Sequence, residues 1–252
     1  MPRSARKLSN SGIYHVMLRG INHQQIFEDE EDNMIFIKTL KECKEKCGYK
    51  ILAYCLMGNH VHLLIRNEDM ELGQIFKHIG VRYVHWYNTK YERTGHLFQD
   101  RFKSEPVEDD AYLITVIRYI HQNPVKAGIC RNPEEYPYSS IHEYQKEADI
   151  VDVSVVEQFV SKSSILEIED HQPDLDCMDI EAKTIVGITD EKAKDIMRKQ
   201  VNVDNPVSFQ TLSNSEQQKC ITKLRMEKAS IRQISRLTGI TLYRIRKLLN
   251  CG

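Results

Sequence analysis

Between two glycines, residues 12–20 (GIYHVMLRG) are rich in β-forming side chains and predict a strand. Residues 30–48 then place Met34, Ile37, Leu40 and Cys47 near one helical stripe ending at Gly48, which predicts a helix. Two apolar runs, 49–57 (YKILAYCLM) and 60–65 (HVHLLI), flank Gly58-Asn59 and predict a hairpin of core strands. Over 70–91 the residues Leu72, Ile75, Phe76, Ile79, Tyr83 and Trp86 recur at helical spacing, and 95–107 (GHLFQDRFKSEPV) returns to an extended alternation. The order β-α-β-β-α-β is that of a split βαβ unit: both helices cover one face of an antiparallel sheet, and the other face is left for a further element. Residues 109–122 (DDAYLITVIRYIHQ) supply a candidate, a helix with an acidic first turn. It should stop near Asn123, because the residue before Pro124 is pushed out of the α region.

The first domain is expected to close by residue 147. Residues 148–210 read as an acidic spacer or small helical subdomain, with one short helix at a Ser154–Glu157 capping box and another over 190–200. In 211–252, capping boxes at Ser215–Gln218 and Ser230–Gln233 predict three short helices, and Ile234, Ser235, Gly239, Ile240, Ile245 and Leu248 have helix-turn-helix spacing. The second helix of that motif would present Thr241, Tyr243, Arg244 and Lys247 outward, with Arg232 on the first.

Charge reinforces this division. A net charge of −1 hides segments that differ strongly: residues 1–147 carry 20 basic and 20 acidic side chains, 148–210 carry 6 and 14, and 211–252 carry 9 and 2. Lys and Arg replace the counterions condensed on phosphates, so a compact basic terminus favours DNA over the alternative, a helical hairpin with a solvated basic face. With 252 residues, 41% hydrophobic and 28% charged, collagen-like and wholly disordered chains are excluded. The seven cysteines are scattered and form no CxxC pair, so neither a disulfide framework nor a thiolate zinc site is expected. No apolar run approaches a membrane span, and a cytoplasmic, nucleoid-associated protein is expected.

His60 and His62 lie two residues apart on a predicted strand, so both imidazoles share a face and could clamp a metal. On the following helix Tyr119 and Asn123 stand four apart and also share a face. The Asn123 carbonyl oxygen suits Mg²⁺ or Mn²⁺, leaving coordination positions for phosphate oxygens and water. Taken alone, Tyr119 reads more readily as a core aromatic anchoring an amphipathic helix than as a nucleophile. A histidine-triad hydrolase would need a third His where Leu64 stands, and no nucleophile elbow or phosphate-cradling glycine loop occurs.

Four ordered strings carry a resemblance: GIYHVMLRG followed by Asn22, Ile26 and Phe27; MGNHVHLLI; GHLFQDRFKS; and RYIHQNPVKAG. Together they resemble the single-tyrosine HUH transposases of insertion sequences, and most of all the REP-associated tyrosine transposases, over about residues 8–145. The resemblance implies a ferredoxin-like catalytic domain that cuts and rejoins single-stranded or hairpin DNA. It implies that His60 and His62 hold the divalent metal, that Tyr119 is the nucleophile forming a 5′-phosphotyrosine, and that Asn123, where many relatives have Gln, completes the metal site. It also implies that the N-terminal segment around Arg3, Arg6 and Lys7 reads a guide sequence beside a hairpin. Arg19, Arg101 and Lys103 lie in the matching strings and are candidate phosphate contacts.

The expected architecture is thus α+β: a ferredoxin-like split-βαβ domain with an antiparallel sheet, then a small all-α helix-turn-helix region. Expected partners are single-stranded or hairpin DNA, duplex DNA through the C-terminus, and a second copy of the chain as a further candidate. A rival from another class is a non-catalytic DNA-binding transcriptional regulator working through the helix-turn-helix. The intact His60, His62, Tyr119 and Asn123 set argues against it, since a pure binder needs none of them.

Overall fold

The computed structural model describes residues 6–161, 165, 177, 188 and 190–250, with the side chains of residues 232 and 250 excepted. Among the candidate DNA contacts, Arg3 and the Arg232 side chain therefore lie outside the described residues, as does much of the acidic segment between 162 and 189. The described residues fall into two compact units: residues 27–30 and those from 188 onward form the second, and the rest form the first. The acidic stretch is accordingly shared, 148–161 going with the first unit and 190–210 with the second. Among the described residues no helix is long and apolar enough to cross a membrane.

The first unit is built on four strands, β1 (Ile13–Arg19), β2 (Lys50–Met57), β3 (His60–Arg66) and β4 (Lys103–Pro106). They form one sheet in the order β2-β3-β1-β4 with antiparallel pairing throughout. Helix α1 (Glu30–Cys47) follows β1, and α2 (Leu72–Lys90) follows β3. The buried stripe of α1 is Phe36, Leu40, Cys43 and Cys47: Leu40 and Cys47 are as expected, whereas Met34 is exposed and Ile37 only half-buried. Strand β4 is shorter than the alternation suggests. Phe98 bridges to Gly20 and Gln99 N donates to Arg19 O, but Asp100 turns into the left-handed region (φ 52) and interrupts the strand before Lys103.

Helix α3 (Asp110–Lys126), capped by the Asp109 carboxylate accepting from Tyr112 N (2.8 Å), packs against β2 and β3. It runs through Pro124 rather than stopping before it. Proline removes one helical hydrogen bond, but Pro124 is buried, and packing of this face holds the helix for another turn. The stop is Gly128, left-handed at φ 67: Gly128 N donates to Val125 O and Ile129 N to Pro124 O, the paired bonds of a Schellman cap.

The first unit continues past residue 147 because the outer edge of β2 needs covering. Leu56 N donates to Tyr138 O, Ser140 N to Tyr54 O and Asp152 N to Ile51 O, so segments around 138–140 and 152 line that edge. Helix α4 (Ile141–Gln145) lies between them, and after Asp152 comes α5 (Val153–Val156). The latter is not capped by Ser154, which sits inside it. The pivot is Glu143, whose Oε2 accepts from the backbone N–H of Asp149, Ile150 and Val151 (2.8 Å each) while Oε1 accepts from Tyr54 Oη (3.0 Å). Glu143→Ala strands these largely buried donors, each at about 1–3 kcal/mol. The expected result is a loss of about 3–5 kcal/mol, read as a melting temperature lower by roughly 10 °C at this chain length. An unchanged melting temperature would contradict it.

The second unit comprises α6 (Asp190–Val201), α7 (Pro206–Gln210), α8 (Asn214–Met226), α9 (Ile231–Thr238) and α10 (Leu242–Asn250). Its core joins Met197, Phe209, Ile221, Leu224, Ile234, Ile240 and Ile245. The cap of α8 is Ser213 rather than Ser215, in a closed box with Glu216, whose carboxylate is a stronger acceptor than a glutamine amide. Ser230 caps α9 as expected, but Gln233 turns its amide to Ile188 O and Asp190 instead of closing a box. Between α9 and α10 the chain turns at Gly239 (φ 68), a conformation that glycine adopts without steric penalty.

Candidate active site

The pleat of β3 puts His60 and His62 on one face, and the register sets them beside Arg19 and Met17 of β1. Their ring centroids lie 5.0 Å apart. His62 is fully buried and His60 nearly so. The turn residue Asn59, also buried, places Oδ1 2.7 Å from His60 Nδ1. An amide oxygen only accepts, so the proton sits on His60 Nδ1 and the lone pair on Nε2, the form in which imidazole binds a metal. On β1, His15 is fully buried with Nε2 3.1 Å from His62 Nδ1, the two rings stacking at 5.3 Å.

From the opposite side α3 delivers Tyr119, buried, with its ring edge-on to His62 at 5.6 Å and to His15 at 5.8 Å. One turn on, Asn123 donates from Nδ2 to Tyr119 O (2.8 Å), which leaves its carbonyl oxygen Oδ1 as the atom for a ligand. Lys126, a further turn along, holds Nζ 4.6 Å from the Tyr119 ring centroid. Of the four residues singled out from sequence, His60, His62 and Tyr119 thus come together between one sheet face and one helix, and Asn123 lies one turn along that helix from Tyr119. Sequence reasoning passed over His15, Asn59 and Lys126, although all three lie inside the strings that carry the resemblance.

Burial holds the three imidazoles neutral. It pushes His15 down to about 4 and His60 down to about 4, the latter helped by the Arg19 charge, and His62 well below its ordinary range. His121, on α3 with Nε2 2.9 Å from Ser140 Oγ, is pushed to about 3 by burial and then by His142. The unfolded chain takes up these protons near pH 6.5, the folded chain only near 4 or below, so in between the unfolded state binds more protons. Stability is therefore complete above about pH 6.5 and falls toward pH 4, by on the order of 1 kcal/mol per imidazole per pH unit. Melting temperatures should drop clearly between pH 7 and pH 5. A flat profile there would contradict the burial of neutral imidazoles.

The donor set fits a divalent cation in a specific way. His62 Nε2 is buried with no hydrogen-bond partner among the described residues, so a ligand could take it up. Among the described residues no group of three or more His, Cys, Asp and Glu side chains is arranged to hold a metal. A cation here would take its remaining ligands from Asn123 Oδ1, water or substrate phosphate, a mostly oxygen set suited to Mg²⁺ or Mn²⁺.

Around this site, Arg19 faces His60 across the strand pair and bonds His23 (2.9 Å). The Arg6 guanidinium lies 3.8 Å over the Phe102 ring, and Arg101 lowers the Arg6 pKa after burial. Lys7, Arg101 and Lys103 are exposed. In the second unit Thr241, Tyr243, Arg244 and Lys247 are exposed on or beside α10. Arg244 also bonds Asn214 Oδ1 (2.8 Å) and Gln217 Oε1 (3.0 Å).

Residues 9–123 match the profile of a family described as Transposase IS200 like, a span that contains His15, His60, His62, Tyr119 and Asn123. Over 119 residues the chain is 29% identical to a Haemophilus influenzae protein assigned to the REP-associated tyrosine transposases, covering 42% of this chain and 67% of that one. Among solved structures, a REP-associated tyrosine transposase bound to a REP hairpin matches with a TM-score of 0.51 at 18% identity, over 64% of this chain and 100% of that chain. The crystal structure of a Deinococcus radiodurans protein assigned as a transposase matches at 15% identity with a TM-score of 0.35, over 48% of this chain and 97% of that chain.

Proposed function

We propose, from the match of residues 9–123 to the IS200-like transposase family, that the chain cleaves and rejoins single-stranded or hairpin DNA through a 5′-phosphotyrosine at Tyr119. The observation that carries the proposal is the convergence of Tyr119 on His62, whose Nε2 is a buried ring nitrogen without a partner among the described residues. The sheet order β2-β3-β1-β4, with helices after β1 and β3, supports reading the first unit as a ferredoxin-like split βαβ.

His60, His62 and Asn123 would hold Mg²⁺ or Mn²⁺, which when bound supplies Lewis-acid polarisation of a non-bridging phosphate oxygen. Tyr119 Oη attacks phosphorus: its bond to phosphorus forms, the bond to the 3′ oxygen breaks, the phenol proton passes to solvent and the departing oxygen is protonated as a 3′-OH. The Lys126 ammonium near the ring offsets negative charge developing there. A phenol is more acidic than an alcohol, so phenolate is a competent leaving group and a 3′-OH can reverse the step and join strands. Incubation with hairpins from the flanking DNA tests this: metal-dependent cleavage without net hydrolysis is expected, and hydrolysed ends with no protein-linked product would contradict it.

A second activity is supported by the second unit. The glycine turn between α9 and α10 and the exposed Tyr243, Arg244 and Lys247 fit a helix-turn-helix on duplex DNA. In a salt titration Lys247→Gln should weaken duplex binding uniformly across sequences and lower the log–log slope by about 1. A slope unchanged by Lys247→Gln would remove α10 from the phosphate contacts. Tight duplex binding without any cleavage would favour the transcriptional regulator.

A further inference from the structure

We infer that His15 is a positioning residue for the metal clamp: it accepts a hydrogen bond from His62 Nδ1–H, which holds the His62 ring so that Nε2 presents its lone pair. The inference rests on the proposed metal site. One proton is shared across the 3.1 Å between His15 Nε2 and His62 Nδ1, and its side decides what His62 offers. With the proton on His62 Nδ1, the buried Nε2 carries a lone pair and can ligate. Either arrangement leaves one N–H without an acceptor among the described residues, on His62 Nε2 if the proton is on His15 Nε2 and on His15 Nδ1 if it is on His62 Nδ1, so the need of a cation for the His62 Nε2 lone pair decides between them. A cation selects the first arrangement, and His15 supplies the acceptor it needs.

The geometry fixes orientation as well as tautomer. His15 is fully buried, stacks on His62 with 24° between planes and meets the Tyr119 ring edge at 5.8 Å, so it fills the corner between the histidine and the tyrosine. It does not act as a third ligand through Nε2, which is already spent on His62. The clamp is thus held from the Nδ1 side at both members. Asn59, next to His60 in the turn, serves His60, and His15, brought across by the β1–β3 register, serves His62.

Mn²⁺ binding by the full chain, measured by calorimetry without DNA, tests the inference alongside metal-free melting. His15→Gln keeps an acceptor, whereas His15→Leu and His15→Met keep only volume. Mn²⁺ affinity should fall about 10–100-fold in the apolar variants and stay within about threefold of the parent in His15→Gln. If His15→Leu does not fold, His15→Met carries the comparison. If neither apolar variant folds, His15→Gln decides, a loss of tenfold or more in it overturning the inference. Parent-like affinity in a folded apolar variant overturns it too, because a merely structural His15 would shift melting and leave affinity unmoved. No saturable Mn²⁺ binding by the parent overturns the metal reading itself, and the inference with it.

Discussion

Tyr119→Phe is expected to lower hairpin cleavage by on the order of 10³-fold or more while leaving the protein folded. The substitution keeps the ring that packs edge-on against His62 and His15 and removes only the hydroxyl, so stability should change by no more than about 1.5 kcal/mol. DNA affinity should also survive, because no cationic group is lost. The contrast between retained binding and lost cleavage separates a nucleophile from a core aromatic. Single-turnover cleavage of the same hairpin by both proteins, with melting curves alongside, checks it. Cleavage within tenfold of the parent would assign the chemistry to another group.

His60→Ala should weaken Mn²⁺ binding by about 100-fold or more and reduce metal-dependent cleavage in step, since it removes one of the two imidazoles. His60 is the cleaner site to change: it lies at the hairpin turn and keeps a trace of exposure, whereas His62 is sealed between His15 and Tyr119. Ligand binding to the folded state raises its stability by RT ln(1 + [L]/Kd). At 1 mM Mn²⁺ the parent melting temperature should therefore rise, and that of His60→Ala should not. An equal rise in both would show that the cation binds elsewhere.

The sheet and its first two helices were legible because their apolar periods are unmixed and their ends carry local signals, such as Gly58-Asn59 in the hairpin and Gly48 after α1. What failed depended on competition between a local rule and packing. Pro124 announces a helix end, but α3 is held against β2 and β3, and Gly128 four positions later provides the actual cap. Ser215 and Ser213 both precede a suitable partner at the third position, and the carboxylate of Glu216 decides in favour of Ser213.

Within the candidate site, His60, His62, Tyr119 and Asn123 could be named because they lie in the strings that carry the resemblance, which implies their roles, while their spacing only put each pair on one face of its element. His15 could not, since its role comes from the β1–β3 register, which sets it diagonally across from His62. Lys126 was hidden by the expectation that the helix had already ended. Composition changes near 147, but Glu143 and Asp152 still bond to Tyr54 and Ile51 of β2, a pairing that composition does not signal.

The central claim is covalent chemistry at Tyr119, and the most direct measurement follows a hairpin labelled at its 3′ end, incubated with protein and Mn²⁺ and resolved on a denaturing gel. A 5′-phosphotyrosine predicts label that migrates with protein, absent in Tyr119→Phe and in EDTA, while the 5′-labelled strand is released free with a 3′-OH. Cleaved DNA with no label on the protein, or an adduct that persists in Tyr119→Phe, would contradict it.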